Sequence, residues 1–376
     1  MSGDLDQLAG DLELRYRRAL RLLPGYYREQ WEEDMVSAFL ESSLTGDPAE
    51  DEFILEFGKP SWPELASVAA LAVRLYLGGT GAPRRYLAWG QAVRRAVLAL
   101  LLLRTVLVLG SFLFVAWTHH LLGWLPAPPG PVASVVTSPL VRGPLPAPQS
   151  LNPALTGGAL QAAPWYALGY AYLVVYLALV LGRYRIAKLF AVLAAGPDLV
   201  YLLQLWLVDH HPQPLGPWVG WILFSLVPVL ALAAFHRDAP PVARRPWLLA
   251  LPAGFVLVAL PSLALQVYGH ARWAPGYPGL GCIMVAVGCL VQTARARWRR
   301  TADSGAWSLA LVLLAVLFGV MRIAFLAGQL HDFFLRTGGV VQLVVLAVAV
   351  ALVAPDGARA QSPVSPPPPQ VDYPRA

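Results

Sequence analysis

Residues 84–117 read RRYLAWGQAVRRAVLALLLLRTVLVLGSFLFVAW, a basic segment that leads directly into an apolar one. The apolar part, residues 96–117, is long enough to cross a bilayer, which takes about 20 helical residues. Arginines precede it at positions 84, 85, 94 and 95, and such residues accumulate on the cytoplasmic side of membrane helices. The stretch therefore predicts a first membrane helix that leaves the cytoplasm at its N-terminal end.

The composition of the whole chain points to the same class of protein. Of its 376 residues, 57% are hydrophobic and 13% are charged, whereas charged residues make up about 25% of soluble domains. We predict an all-α fold, a polytopic membrane helix bundle of about eight spans over residues 96–354. Further apolar stretches follow the first at 165–182, 189–208, 218–235, 247–267, 278–294, 306–327 and 338–354.

The loops between these stretches predict the orientation of the bundle. Basic residues cluster in the loops 183–188, 236–246 and 295–305, whereas the alternate loops contain almost none. By the positive-inside rule, we expect the basic loops and both termini in the cytoplasm and the protein in a bacterial inner (plasma) membrane. The proline-rich outer loop 118–164 is expected to be irregular, and the proline-rich tail 355–376 to be disordered.

The residues before the first span have a different character. Residues 1–80 contain 15 of the 22 acidic side chains and carry a net charge of −8, whereas the rest of the chain carries +14. The sequences DPAE at 47–50 and SWPE at 61–64 are capping boxes that predict two helix starts. We predict a small acidic helical domain at residues 1–80 on the cytoplasmic side, joined to the bundle by a basic linker at 81–95.

This N-terminal domain has two kinds of surface. A stripe of apolar side chains at helical spacing is expected to be buried; it consists of Tyr27, Trp31, Met35, Ala38 and Phe39. The charged side chains outside that stripe form the candidate interaction surface, which we place at Arg17, Arg18, Arg21, Glu32 and Glu33.

The segment RYRRALRLLPGYYREQWEEDM at residues 15–35 resembles the N-terminal helical domain of bacterial membrane proteins of the HAAS, or permease-prefix, type. GKPS at 58–61 and LYLG at 75–78 are similar to the closing segment of that domain. Members of the family are often encoded beside PadR-type transcription regulators, so the resemblance implies a signalling or interaction module. Relatives with a permease body carry a large folded outer domain, which the composition of 118–164 does not suggest. The resemblance implies no catalytic residue.

Two ionisable residues inside the predicted spans form a candidate intramembrane pair. Arg104 in the first span and Asp198 in the third lie at similar depth from the cytoplasmic side. A charge at a helix centre costs about 2.5–3.5 kcal/mol on insertion scales, so pairing is favoured. The pair is compatible with a structural lock of the bundle and with a transport or proton-relay site. Gly196-Pro197 is expected to break the helix and free backbone carbonyls, as at ion or substrate sites.

Other polar residues of the predicted spans have simpler interpretations. Arg322 lies nearer the outer end of the seventh span, so we expect its side chain to extend to the interface. Cys282 and Cys289 lie too far apart along one helix to form a disulfide, and we expect them to be small core residues. Most histidines fall on the predicted outer side; they are weak metal-ligand candidates and fit interfacial polar residues better: His119, His120, His210, His211, His270 and His331.

The function that these patterns favour is a non-enzymatic one. The sequence contains no phosphate-binding glycine loop, no nucleophile elbow and no Cys–His metal cluster. We therefore expect no cofactor and no direct binding of nucleic acid. The expected partners are the lipid bilayer and a cytoplasmic protein bound through residues 1–80, as in a sensor or regulatory membrane protein. The alternative is a secondary transporter or permease-like protein that uses the Arg104–Asp198 pair.

Overall fold

The computed structural model describes residues 12–44, 47, 58–79, 81–118, 123–124, 170–208, 215–236, 239–261, 277–298, 304–327 and 333–361. All regular secondary structure in these residues is helical. The chain divides into two compact units, a head unit at Met1–Gly90 and a body at Gln91–Ala376. The boundary lies ten residues beyond the predicted one at residue 80.

The head unit contains helix α1 at 12–20, α2 at Gly25–Ser43, α3 at Trp62–Tyr76 and the beginning of α4 at Arg84–Thr118. The predicted capping box at 61–64 is confirmed. The Glu64 amide donates to the Ser61 hydroxyl at 3.4 Å, and the Ser61 amide donates to the Glu64 carboxylate at 2.7 Å. Of the other predicted box, 47–50, only Asp47 lies within the described residues.

The core of the head unit joins one face of each of the first three helices. Leu12, Tyr16 and Leu20 follow the helical repeat of α1 and are buried. The Tyr16 ring stacks on the Phe39 ring of α2 with centroids 4.0 Å apart, and α3 adds further apolar side chains. The predicted stripe of α2 is wrong at two positions, because Trp31 and Ala38 are exposed and Val36 is buried instead.

Most of the predicted linker 81–95 is helical, since α4 begins at Arg84. The chain turns into α4 through Gly78 and Gly81, whose φ angles of 81° and 79° lie in the left-handed region that favours glycine. A Cβ atom at Gly90 would overlap the Leu77 carbonyl oxygen. The head unit therefore brings the first turns of α4 into backbone contact with the end of α3.

The body contains the rest of α4 and seven further described helices. Each of the eight predicted apolar stretches overlaps a described helix. A 3₁₀ turn at Leu232–Ala234 continues the helix at Leu215–Ala231, and a π turn at Phe255–Ala259 continues the helix at Arg244–Gly254. The helices after α4 are α5 at Ala171–Val180, α6 at Tyr184–Val208, α7 at Leu215–Ala231, α8 at Arg244–Gly254, α9 at Tyr277–Trp298, α10 at Ser304–Ala327 and α11 at Phe333–Gln361.

Three of the described helices are long and apolar enough to cross a membrane: Gly279–Trp298, Gly305–Ala327 and Arg336–Arg359. Ala171–Val180 and Ile222–Ala234 are shorter apolar helices. The chain is thus all-helical in its described part, with the composition of a membrane protein. Many of its large apolar side chains face outward on α9, α10 and α11, as expected for helices in contact with lipid.

Two sequence-based boundaries in the body need correction. Helix α6 runs without a break from Tyr184 to Val208, so the interruption expected at Gly196-Pro197 is wrong. A proline inside a membrane helix removes one main-chain hydrogen bond, and neighbouring helices compensate for that loss. Helix α11 continues to Gln361, so residues 355–361 of the expected disordered tail are helical. An ion pair of 2.8 Å between Arg359 and Asp356 supports its last turns.

Glycines allow α9, α10 and α11 to approach closely. A Cβ atom at Gly281 of α9 would overlap the Phe318 ring of α10. A Cβ atom at Gly339 of α11 would lie 2.5 Å from Leu326 Cδ2. Small residues at such crossings let membrane helices gain van der Waals contact, because lipid provides little hydrophobic driving force between helices.

Candidate functional sites

Arg104 lies at the junction of three helices of the body. Its side chain extends from α4 and is 1% exposed. Its Nη1 donates a hydrogen bond of 3.1 Å to the Phe224 carbonyl oxygen of α7. The guanidinium carbon lies 3.8 Å from the centroid of the Tyr172 ring of α5 and 4.3 Å from that of Phe224. The charge is thus held by a carbonyl dipole and two aromatic faces.

The carbonyl that accepts from Arg104 is determined by the sequence of α7. Pro228 lies inside this helix, four residues after Phe224. Proline has no amide hydrogen, so it cannot make the usual helical bond to the carbonyl four residues earlier. Arg104 supplies a donor to that carbonyl. Pro228 identifies the Phe224 carbonyl as one without its usual donor, but the sequence alone does not pair it with Arg104.

The other half of the predicted pair is only partly visible. The main chain of Asp198 lies in α6, whereas its side chain is outside the described residues. The proposed contact between Arg104 and Asp198 therefore stays a prediction. Thr105, which follows Arg104 in α4, also contacts α5. Its hydroxyl donates to the Tyr172 carbonyl oxygen at 3.3 Å.

Arg322 does not extend to the interface as expected. Its side chain is 0% exposed and lies inside the packed body. It belongs to α10, one turn beyond Phe318, whose carbonyl oxygen accepts a hydrogen bond of 3.7 Å from the Cys282 thiol of α9. Cys282 and Cys289 are both free thiols and both buried, which agrees with the prediction of small core residues.

The histidines predicted at the outer face cannot be placed. His119, His120, His210, His211, His270 and His331 all lie outside the described residues. Within the described ranges, no group of three His, Cys, Asp or Glu side chains has the arrangement of a metal site. The weak metal prediction therefore stays untested at these positions.

The charged surface predicted on the head unit is partly an internal network. Arg17 contacts Glu13 at 2.6 Å, Glu33 at 2.7 Å and Glu32 at 3.6 Å. The hydrogen bond from Arg17 holds the pKa of Glu33 below its ordinary value. Three members of the predicted surface thus bind one another and join α1 to α2. Arg18 and Arg21 remain exposed.

Two tryptophans of the head unit point outward. Trp62 at the start of α3 is 84% exposed, and Trp31 in α2 is 43% exposed. The Trp31 ring lies 6.4 Å from that of Tyr27. Tryptophan and arginine are the residues that most often dominate protein–protein binding energy. These side chains extend the candidate interaction surface beyond the charged residues.

A cavity of about 160 Å³ lies between α4, α8, α9 and α10 of the body. Every residue that lines it is apolar, including Val106, Val258 and Phe318. Gly254 lets α8 approach α4 closely at this cavity, because a Cβ atom there would lie 3.2 Å from Val106 Cγ2. The cavity suits hydrocarbon and offers no side-chain hydrogen bond.

Comparison with known proteins gives the chain no family. No protein-family model matches it, and neither a curated protein nor a solved structure is similar to it.

Proposed function

We propose that this chain is a regulatory or sensor protein of the bacterial inner membrane whose head unit binds a protein partner in the cytoplasm. The observation that carries the proposal is the presence of a separate compact unit at Met1–Gly90 with its own apolar core. Its function is non-enzymatic. The other partner is the lipid bilayer, which the chain is proposed to cross as a bundle of about eight spans with both termini in the cytoplasm.

The surface of the head unit supports a binding role. Trp62 is exposed beside a well-capped helix start, so its ring can bury apolar area without a change in the fold. Arg18 and Arg21 are exposed as well, and they favour a partner with acidic residues around an apolar centre. Through its resemblance to the HAAS type, the head unit is proposed to bind a PadR-type regulator or a similar signalling protein.

Site-specific photocrosslinking in the full chain tests this role in living cells. A photoreactive residue in place of Trp62 is expected to give one discrete adduct with a cytoplasmic protein. The same residue in place of Leu20, which is 0% exposed, serves as the matched control and is expected to give none. Deletion of residues 1–80 is expected to change the transcriptional or partner readout without affecting membrane insertion. Absence of an adduct from positions 62, 18 and 21 would contradict the proposal.

Reporter fusions test the proposed orientation. A fusion after Leu122 is expected to report the outer side, and one after Arg300 the cytoplasm. Both fusions on the same side would refute the arrangement of about eight spans.

A secondary transporter is the second candidate, favoured by the complete burial of Arg104 in the body. Buried ionisable groups in membrane proteins often mark substrate or proton pathways. This candidate requires that Asp198→Asn abolish a substrate flux while the protein remains abundant. The hydrogen bond and the aromatic faces around Arg104 suit a structural lock equally well, so the regulatory role is preferred.

A further inference from the structure

Three polar side chains of the body lie in one layer of α9, α10 and α11. Cys282 is near the N-terminal end of α9, Arg322 is near the C-terminal end of α10, and Gln342 is in the N-terminal third of α11. Their exposed fractions are 1%, 0% and 8%. Helix α10 runs antiparallel to α9 and α11. These three positions therefore lie at the same end of the three helices.

Arg322 is a buried cation without a hydrogen bond. None of its three guanidinium nitrogens, Nε, Nη1 and Nη2, has a partner in the described part of the chain. Its guanidinium carbon lies 5.6 Å from the centroid of the Phe325 ring. Arginine stays protonated in proteins, so the layer contains a full positive charge. Burying such a charge is unfavourable unless an anion or several acceptors compensate it.

Gln342 presents a second set of unused polar atoms. Within the described part of the chain, neither its Oε1 nor its Nε2 makes a hydrogen bond. The amide lies against Gly279 of α9, where a Cβ atom would be 3.0 Å from Oε1 and 3.4 Å from Nε2. Gly279 and Cys282 are one helical turn apart, and the Cys282 thiol donates a hydrogen bond of 3.7 Å to the Phe318 carbonyl oxygen of α10, one turn before Arg322. Arg322 and Gln342 therefore both face the first part of α9.

The unused donors define the chemistry of a ligand. A guanidinium offers parallel N–H groups in a fork that matches two oxygens of one carboxylate or phosphate. The Gln342 amide adds N–H donors from the neighbouring helix α11. Among the described residues of α10 near Arg322, Phe318 and Met321 are buried and apolar. An oxyanion would supply the missing charge and acceptors together.

We propose that Arg322 and Gln342 form a binding site for an oxyanion, a carboxylate or phosphate group, in the α9–α10–α11 layer. The group belongs either to a soluble anion or to the head group of an anionic lipid. The site lies wholly in the body and does not depend on the role proposed for the head unit.

Thermal unfolding of the full chain in nanodiscs tests the site. In the first arm, the nanodiscs contain phosphatidylcholine only, and inorganic phosphate or acetate is titrated at constant ionic strength set with chloride. In the second arm, phosphatidylglycerol replaces an increasing fraction of the phosphatidylcholine without added phosphate. The midpoint followed by tryptophan fluorescence is expected to rise and saturate in one arm, which identifies the source of the oxyanion.

Variants identify the residues responsible. Arg322→Gln is expected to abolish the saturable rise, and Arg322→Lys and Gln342→Leu to raise the half-saturating concentration at least tenfold. Gln292→Leu is the matched control, because Gln292 is a buried glutamine in α9 near the opposite end of that helix; its half-saturating concentration should stay within twofold of the wild type. If Arg322→Gln does not fold, Gln342→Leu still decides the question. No saturable rise in either arm, or an unchanged response in Gln342→Leu, would overturn the proposal.

Discussion

The guanidinium carbon of Arg104 lies 3.8 Å from the centroid of the Tyr172 ring, while Nη1 of the same side chain donates to the Phe224 carbonyl oxygen at 3.1 Å. One buried cation thereby joins α4 to α5 and α7. Its aromatic neighbours provide the negative faces that a guanidinium prefers where water is excluded. The arrangement explains how a charge can be held in an apolar bundle.

Replacing Tyr172 with leucine should destabilise the body. The substitution removes the ring over Arg104, and a desolvated contact of this type is worth about 2 kcal/mol. Tyr172→Phe is the matched control, because it retains the ring and should cost much less. Unfolding of the full chain in detergent by graded denaturant measures both changes. Equal losses for the two variants would show that the ring does not stabilise Arg104.

Arg104 and Pro228 should be energetically coupled. Pro228→Ala restores an amide donor for the Phe224 carbonyl, so the loss of the arginine donor matters less in that background. We expect Arg104→Met to be less destabilising there by about 1 kcal/mol, the net value of one hydrogen bond. A double-mutant cycle in the same unfolding assay measures this term. Additive effects would mean that the two residues do not share the carbonyl.

Gly281→Ala should weaken the packing of α9 on α10. The new Cβ atom would overlap the Phe318 ring, and overpacking of a tight core typically costs about 1–3 kcal/mol. Gly319→Ala is the control in α10, since its Cβ atom would lie at an ordinary 3.8 Å from Leu346 Cδ2. Thermal midpoints in detergent should fall for the first variant and stay close to wild type for the second. Phe318→Leu should partly rescue Gly281→Ala by making room for the methyl group.

Acid should loosen the contact between α1 and α2. The hydrogen bond from Arg17 lowers the pKa of Glu33 below its ordinary value of 4.5. Because the pKa is lowered in the folded state, the ionised Glu33 carboxylate stabilises the folded head above the ordinary pKa. This contribution is lost as the pH falls through the lower pKa of the folded state. Hydrogen exchange of the 12–43 region, corrected for intrinsic rates, should therefore show decreasing protection below about pH 4.5.

Glu33→Gln provides the control for this titration. The variant should have slightly lower protection at pH 7 and a shallower decrease in acid, because the titrating group has been removed. High salt should reduce the difference between variant and wild type, since the pair is exposed and screened. An identical acid response in the variant would show that Glu33 is not the group responsible.

Local patterns in the sequence were sufficient to predict where the helices lie, although not where each of them begins and ends. Each apolar stretch overlaps a described helix, as expected for a chain that must satisfy its main-chain hydrogen bonds within itself in lipid. The start of α3 was readable from Ser61 and Glu64, since a capping box involves only residues three positions apart. The boundaries of α4, α6 and α11 were less accurate. Those helices continue through the basic linker, Gly196-Pro197 and Pro355, where side-chain type alone suggested an interruption.

The environment of each polar side chain was decided by tertiary structure. The sequence predicts Arg104 as an intramembrane charge, but its contacts with Tyr172 and Phe224 depend on how α5 and α7 pack. Arg322 was expected to reach the interface, yet its side chain is fully buried in the body. Trp31 has the spacing of a core residue but is exposed. Burial depends on which neighbouring helix covers a given face, and a single helix's periodicity does not contain that information.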